Sequence, residues 1–389
     1  MSAILSGKIK KINCLLDRFM LYLSRIEKII PSDTENFMLN EIVQPLIGWY
    51  RQNKRSLPWR DQKNAYYTWV SEIMLQQTRV EAVKPYFLRF TGELPDVKAL
   101  AECPEEKLMK LWEGLGYYNR VRNMQNAAQT VVAEYGGVLP ASYEELLALK
   151  GIGSYTAGAI ASIAYDIPVP AVDGNVLRVL SRINEDRQDI MKQSVRRQVE
   201  TKLSAIMPKE APGDFNQALM ELGAVVCVPN GPARCAECPL AAFCKAYHHD
   251  TVNELPVKAP KKKRIIEKKT VLVIQDGERT AIRKRPNEGL LAGLYELPNV
   301  EGHLSMDEAL QKVKEMNLEP LHIEALPEAK HIFSHIEWRM TAYQIRVSSL
   351  EEQEDAPFIF TEKKQSEKQY AIPSAFRAYT KYMKEKSAK

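Results

Sequence analysis

Between residues 39 and about 250, apolar positions recur every three or four residues. RVRNMQNAAQTVV aligns Met124, Ala127, Ala128 and Val131, and the run after Pro212 aligns Phe215, Ala218, Leu219 and Leu222. SEIMLQQTRVEAV places Ile73, Met74, Gln77 and Val80 along one face. This spacing predicts amphipathic helices. In SYEELLALKGIGSYTAGAI, Ser142 and Glu145 form a capping-box pair, so a helix starts there and breaks at Gly151-Ile152-Gly153. A second helix begins near Ser154, with Thr156, Ile160, Ile163 and Ala164 on its packed face. In VPAVDGNVLRVLSR, Asp173 stands just before a helix bearing Val176, Val179, Leu180 and Ile183. Strand patterns are scarce in this half.

The pattern then changes. NELPVKAPKKKR combines two prolines with a cationic run and reads as an exposed linker, a solvated tether that adds nonspecific attraction to a polyanion. After residue 269, TVLVIQDGERTAIRKR reads as a hairpin turning at Asp276-Gly277. SMDEALQKVKEM opens with the capping pair Ser305 and Glu308 and reads as a helix. In WRMTAYQIRV, Tyr343, Ile345 and Val347 alternate as in a strand, and PSAFRAYTKYM reads as a closing helix with Phe376, Tyr379 and Met383 on one side. The expected organisation is multidomain: an N-terminal extension over 1–38, an all-α domain over 39–250, a basic linker over 251–268 and an α+β domain over 269–384.

Composition narrows the picture. The chain has 389 residues, 45% hydrophobic and 26% charged, with formal net charge +5. Two or three cored domains fit that length. The mildly basic balance is compatible with nucleic acid and does not require it. No apolar run approaches the roughly 18 residues of a membrane span, and the charged N-terminus does not read as a signal peptide. A reducing cytoplasm is therefore expected, with a nucleoid-associated protein if the cell is prokaryotic. Disulfides rarely persist there. Four of six cysteines nevertheless crowd into CVPNGPARCAECPLAAFC, as Cys227, Cys235, Cys238 and Cys244, spaced C-x7-C-x2-C-x5-C. Four thiolates on one loop imply tetrahedral zinc or an iron–sulfur cluster, and spacing leaves both open.

The Gly151–Gly153 hairpin offers chemistry of its own. Glycine lets the backbone approach a ligand closely, and the amides at the following helix start suit a phosphate. Asp173 at an N-cap meets free amides and the positive helix end, which favours its ionised form.

The hairpin with its downstream aspartate resembles the helix-hairpin-helix DNA glycosylase superfamily, and the cysteine loop resembles that superfamily's iron–sulfur branch. Within it, LPWR (57–60), WVSEIMLQQTRV (69–80), EGLGYYNRVRN (113–123), GIGSYTAGAI and VDGNVLRVLSR resemble the adenine-specific, MutY-type glycosylases, over roughly residues 40 to 375. The first cysteine gap is one residue longer than this family's usual spacing.

The resemblance implies a base excision repair enzyme, monomeric, that removes adenine mispaired with 8-oxoguanine or guanine in duplex DNA. It implies Glu72 as general acid, Asp173 as stabiliser of the cationic sugar, and Tyr155 and Asn175 as organisers of the site. Gln77 and Tyr117 match positions that wedge into the gap left by the extruded base. Arg60, Gly151, Gly153 and Arg234 are implied as DNA contacts, and the four cysteines as ligands of a [4Fe-4S] cluster. A related branch carries a catalytic lysine just after the hairpin, where this chain has Tyr155, so base removal without strand cleavage is expected.

GLLAGLYELPN (289–299) resembles the start of a Nudix domain, but EGHLSMDEALQKVKEMNLEP lacks the paired glutamates of its magnesium site. A lesion-recognition module with Phe333, Ser334 and His335 at its working loop is the implied role. Three competing readings are a bifunctional lyase, disfavoured by Tyr155, a catalytically dead damage binder, disfavoured by the two carboxylates, and a nucleotide pyrophosphatase, disfavoured by the missing box.

Overall fold

The computed structural model describes residues 39–260, 263–348 and 358–383; the expected extension, 1–38, lies outside the described residues. The chain divides into two compact units. The first comprises residues through Glu72 together with Pro140–Ala259, and the second comprises Ile73–Leu139 with the chain from Pro260 onward. The helices needed below are α1 (Val43–Asn53), α2 (Ala65–Leu75), α3 (Asn119–Tyr135), α4 (Tyr143–Ala148), α5 (Ser154–Tyr165), α6 (Gly174–Asn184), α7 (Gln193–Ile206), α8 (Pro212–Val225) and α9 (Met306–Glu315). No helix among the described residues is long and apolar enough to cross a membrane.

In the first unit, α1, α6 and α8 bury their apolar stripes together. Leu46, Tyr50, Val176, Leu180, Phe215, Leu219 and Leu222 form the centre of this core. Local signals set the boundaries. The Ser142 hydroxyl accepts from the Glu145 amide and starts α4. The Asp173 carboxylate accepts from the Val176 amide and starts α6. Gly151, with φ 82°, turns the chain between α4 and α5 in a conformation side chains disfavour.

One expected helix face is broken. The run through Ile73, Met74, Gln77 and Val80 is not continuous: α2 ends at Leu75, Gln77 takes φ 60°, and a new helix starts at Val80. The Arg120 guanidinium explains the stop. It donates to the carbonyls of Ile73 (2.6 Å) and Gln76 (2.8 Å), satisfying the end of α2 from outside.

The second unit contains a seven-stranded sheet with the order β3 (Tyr295–Glu296), β2 (Arg279–Lys284), β1 (Ile265–Asp276), β6 (Ile336–Val347) and β5 (Pro320–Ile332); β4 (Asn299–Glu301) pairs with β1 and β7 (Ile359–Glu362) with β2. β1 and β6 run parallel, and both sheet faces are covered, which explains the continuous apolar run in β1. Leu272 and Ile274 pack under α9 against Ala309 and Val313. Val271 and Val273 face Trp338, Phe376 and Tyr379. α9 opens on the full Ser305–Glu308 capping box. The final segment is shorter than its pattern predicts, a 3-10 turn at Ser374–Phe376 followed by Arg377–Thr380, yet Phe376, Tyr379 and Met383 are all buried.

Residues 73–139 belong with this sheet. The Glu113 carboxylate accepts the Ile372 amide at 2.8 Å, and Arg122 donates to the Ala292 carbonyl at 2.7 Å.

Candidate active site

Glu72 lies near the end of α2, among Trp69, Val70, Ile73 and Met74, and is only 7% exposed. Burial disfavours its charged form and pushes its pKa to about 7 from 4.5, against the opposing hydrogen bond from Tyr155. Tyr155, the second residue of α5, donates its hydroxyl to Glu72 Oε2 and also faces Met220 Sδ at 3.7 Å. Burial, then the Glu72 and Asp173 charges, hold that phenol far above the usual tyrosine range, so it stays a donor. Asp173 is in turn near enough to raise the pKa of both Glu72 and Tyr155.

The two carboxyl groups occupy different environments. Asp173 Oδ1 accepts the Val176 amide at 2.8 Å, and Oδ2 accepts Asn175 Nδ2 at 2.7 Å. An N-cap alone would lower its pKa. Burial outweighs this, and the net direction is upward. The donors still favour the anion. Of the pair, Glu72 has the weaker support for a charge and is the one suited to keep a proton.

Asn175 is itself held. Its Oδ1 accepts from Arg178 Nη2 at 2.9 Å. The buried Arg178 also donates to the carbonyls of Gly223 (2.6 Å) and Cys227 (2.8 Å). Gly223 is required for this approach: a β-carbon there would lie 2.6 Å from Asn175 Cβ. Nothing in the sequence pattern distinguishes Arg178 from a surface arginine. It lies on the face opposite Val176, Val179, Leu180 and Ile183, and only the fold buries it.

The four cysteines line a single cavity with Arg182, Leu222 and Leu240. Arg182 Nη1 donates to Cys227 Sγ at 3.1 Å, and Cys244 Sγ approaches the Arg182 carbonyl at 3.5 Å. Burial raises the thiols of Cys235 and Cys244 and pushes Cys238 up to about 12. Among the described residues, no three His, Cys, Asp or Glu are grouped to hold a metal ion. Four thiols nevertheless open onto one cavity, with a guanidinium against the first of them, a donor set of the kind that binds zinc or an iron–sulfur group as thiolates.

The remaining expected contacts differ in setting. Gly151 and Gly153 are exposed at the hairpin, and Arg234 is exposed on the cysteine loop. Arg60 is not an open surface cation. It pairs with Glu221 at 2.9 Å, donates to the Arg55 carbonyl at 3.2 Å and lies over the Tyr50 ring. Glu221 is 1% exposed and also binds Arg55 at 2.6 Å. Burial would raise its pKa, but the two guanidiniums together prevail and hold it at about 2. A carboxylate held below its unfolded value contributes stability above about pH 4.5, which is lost as pH falls towards 2. Glu221→Gln is therefore expected to cost about 3 kcal/mol at pH 7, and less as the pH falls through that window. The urea midpoint measures this; an unchanged midpoint at pH 7 would refute it.

In the second unit, Gln77 and Tyr117 are exposed and take φ 60° and 48°. The Tyr117 hydroxyl shares a 2.8 Å hydrogen bond with Ser334 Oγ. Phe333 stacks edge-on between His331 and Trp338, while Ser334 and His335 are exposed. Tyr117, Leu291, Phe333, Ser334 and His335 line a cavity of about 410 Å³. Arg120, which sequence reading passed over, lies beneath the Tyr117 ring.

These features coincide with two recognised families. Residues 70–205 match the HhH-GPD superfamily of base excision DNA repair proteins, and residues 270–382 match the NUDIX domain. A solved thermostable thymine-DNA glycosylase is 25% identical with a TM-score of 0.50, covering 56% of this chain and 100% of its own. The adenine DNA glycosylase of Mus musculus is 35% identical over 359 residues, covering 77% of this chain and 69% of that protein. That of Buchnera aphidicola subsp. Baizongia pistaciae is 34% identical, covering 75% of this chain and 82% of that protein. The chain belongs to the adenine DNA glycosylases, enzymes of base excision repair.

Proposed function

We propose that this enzyme hydrolyses the N-glycosidic bond of adenine paired with 8-oxoguanine or guanine in duplex DNA, and leaves an abasic site without cutting the strand. The observation that carries this reading is the cluster of Glu72, Tyr155, Asp173 and Asn175. Glu72 gives its proton to the adenine ring as the bond to the sugar breaks and its electron pair leaves with the base. Tyr155 occupies one carboxyl oxygen and orients the other. The sugar becomes oxocarbenium-like, and the Asp173 anion stabilises it. Water then adds to the sugar carbon, and the Glu72 carboxylate takes the released proton. No amine stands at Tyr155 to form a Schiff base, which supports monofunctional chemistry.

The resemblance supplies the remaining roles. Gln77 and Tyr117 fill the gap left by the extruded base, and Gly151, Gly153 and Arg234 meet phosphates. Arg60 reaches DNA only by leaving the Glu221 pair, so its part is to brace the site. Phe333, Ser334 and His335 read the 8-oxoguanine. In α9, Glu308 completes the cap and Glu315 pairs with Lys312. Cys227, Cys235, Cys238 and Cys244 hold a [4Fe-4S] cluster, which supplies a structural cross-link for the loop. The protein acts as a cytoplasmic monomer.

The test is a duplex with adenine opposite 8-oxoguanine, incubated with protein whose iron and sulfide are measured. Breaks that appear only after alkali, with no borohydride-trapped adduct, are expected. Breaks without alkali would replace this reading with a lyase, and intact strands after alkali would remove the enzymatic reading.

A further inference from the structure

We propose that Asn216 is a positioning residue for Asp173, clamping the peptide run that leads into it; the proposal rests on the reading of Asp173 given above. Residues 166–173 form an irregular connection from α5 to α6. Pro168 and Pro170 interrupt it, and neither has an N–H to give. Beyond the bond from the Val169 amide to the Ile167 carbonyl (2.8 Å), the run is held from neighbouring elements.

Asn216, on α8, does most of this. It is 0% exposed. Its Oδ1 accepts the Ala171 amide at 3.0 Å. Its Nδ2 donates to the Val169 carbonyl at 2.9 Å and to Ser162 Oγ at 2.8 Å. Ser162 stands on α5, the helix that carries Tyr155. Two further contacts complete the clamp. Arg196, on α7, donates to the Val172 carbonyl. Gly158 lies so close to the Pro170 carbonyl that a β-carbon there would collide with it. Ala171 and Val172 are both 0% exposed, so water cannot replace a lost partner.

The division of labour follows from which elements the bonds join. Asn175 and Val176 sit on the same helix as Asp173. They set the rotamer of its carboxylate but cannot place that helix against its neighbours. Asn216 ties the approach run to both α5 and α8. It thereby fixes Asp173 relative to Tyr155, whose hydroxyl holds Glu72. A displacement of about 1 Å at such a group can cost a factor of 100 in rate.

The experiment separates placement from general stability by using the cation. Full-length wild type, Asn216→Ala, Asn216→Asp and Asp173→Asn are titrated with two duplexes. One carries a cationic pyrrolidine in place of the target deoxyribose, the other its uncharged tetrahydrofuran counterpart. The ratio of the two affinities reports the anion at the sugar. Asn216→Asp keeps the acceptor for Ala171, so it is the variant that decides if Asn216→Ala does not fold. We expect Asn216→Ala to lower the ratio at least tenfold, towards the Asp173→Asn value, with tetrahydrofuran affinity and visible absorbance retained. Asn216→Asp should fall between it and wild type. Wild-type ratios in both Asn216 variants, with a reduced ratio in Asp173→Asn, would overturn this inference alone. Equal losses on both duplexes would also overturn it, because they mark a merely structural residue. An undiminished ratio in Asp173→Asn would instead overturn the role of Asp173, and this inference with it.

Discussion

Asp173→Asn is expected to retain duplex binding and to lower single-turnover excision by a factor on the order of 10³. The substitution is nearly isosteric, so packing is kept. Two things are lost. The first is the charge that faces the developing sugar cation. The second is an acceptor. Asp173 uses both oxygens, one for the Val176 amide and one for Asn175 Nδ2. An asparagine has one oxygen for these two donors. Asn175 cannot turn to help, because its own Oδ1 is taken by Arg178. Measurement is by quenched excision from a duplex with adenine opposite 8-oxoguanine, with enzyme in excess. The control is affinity for the tetrahydrofuran duplex. A variant that excises at the wild-type rate would remove the role assigned to Asp173.

Glu72→Gln is the second large effect, expected at a factor on the order of 10² to 10⁴. Gln still accepts from Tyr155 but has no proton to give. The pH dependence adds an independent check. With its pKa near 7, Glu72 loses its proton as the pH rises through neutrality, so excision by the wild type should decline above pH 7. Stability should also separate the two proteins. A carboxyl raised from 4.5 to about 7 binds more protons folded than unfolded between those values. Wild-type stability therefore falls as pH rises across that window, by roughly 3 kcal/mol in all. Glu72→Gln escapes that loss and should be the more stable protein at pH 8, though inactive. Urea titrations of both proteins at pH 5 and pH 8 read the difference. Equal pH dependence in the two would show that Glu72 is not a buried acid.

Both substitutions act on residues that the sequence already marked. Asp173 was legible because a cap has a local signature, and the structure confirms the capping bond. The hairpin was legible for the same reason: its glycines and the following helix start are set by neighbours in sequence. The capping box of α9 and the β1–β2 hairpin share that property. What escaped was set by residues far apart in the chain. The end of α2 is imposed by Arg120, 45 residues after Leu75 in sequence, so periodicity carried the helix through Gln77. Arg178, Asn216 and Glu221 are polar residues on helices, and each reads locally as solvated. Their partners come from other helices, and only the fold makes them buried. The upward shift of Asp173 belongs here too, since its burial comes from neighbours no local pattern contains. The grouping of residues 73–139 with the sheet was equally out of reach, because composition changes at the linker and not there.

One consequence of Gly223 concerns inherited variation in this enzyme. The position carries no functional group, so a change there looks innocuous beside one at Glu72 or Asp173. Yet the backbone at Gly223 offers its carbonyl to Arg178 and its bare α-carbon to Asn175. A single added methyl would press on the residue that steadies the aspartate. Harm to repair can thus arise where no chemistry is performed, from one carbon atom too many.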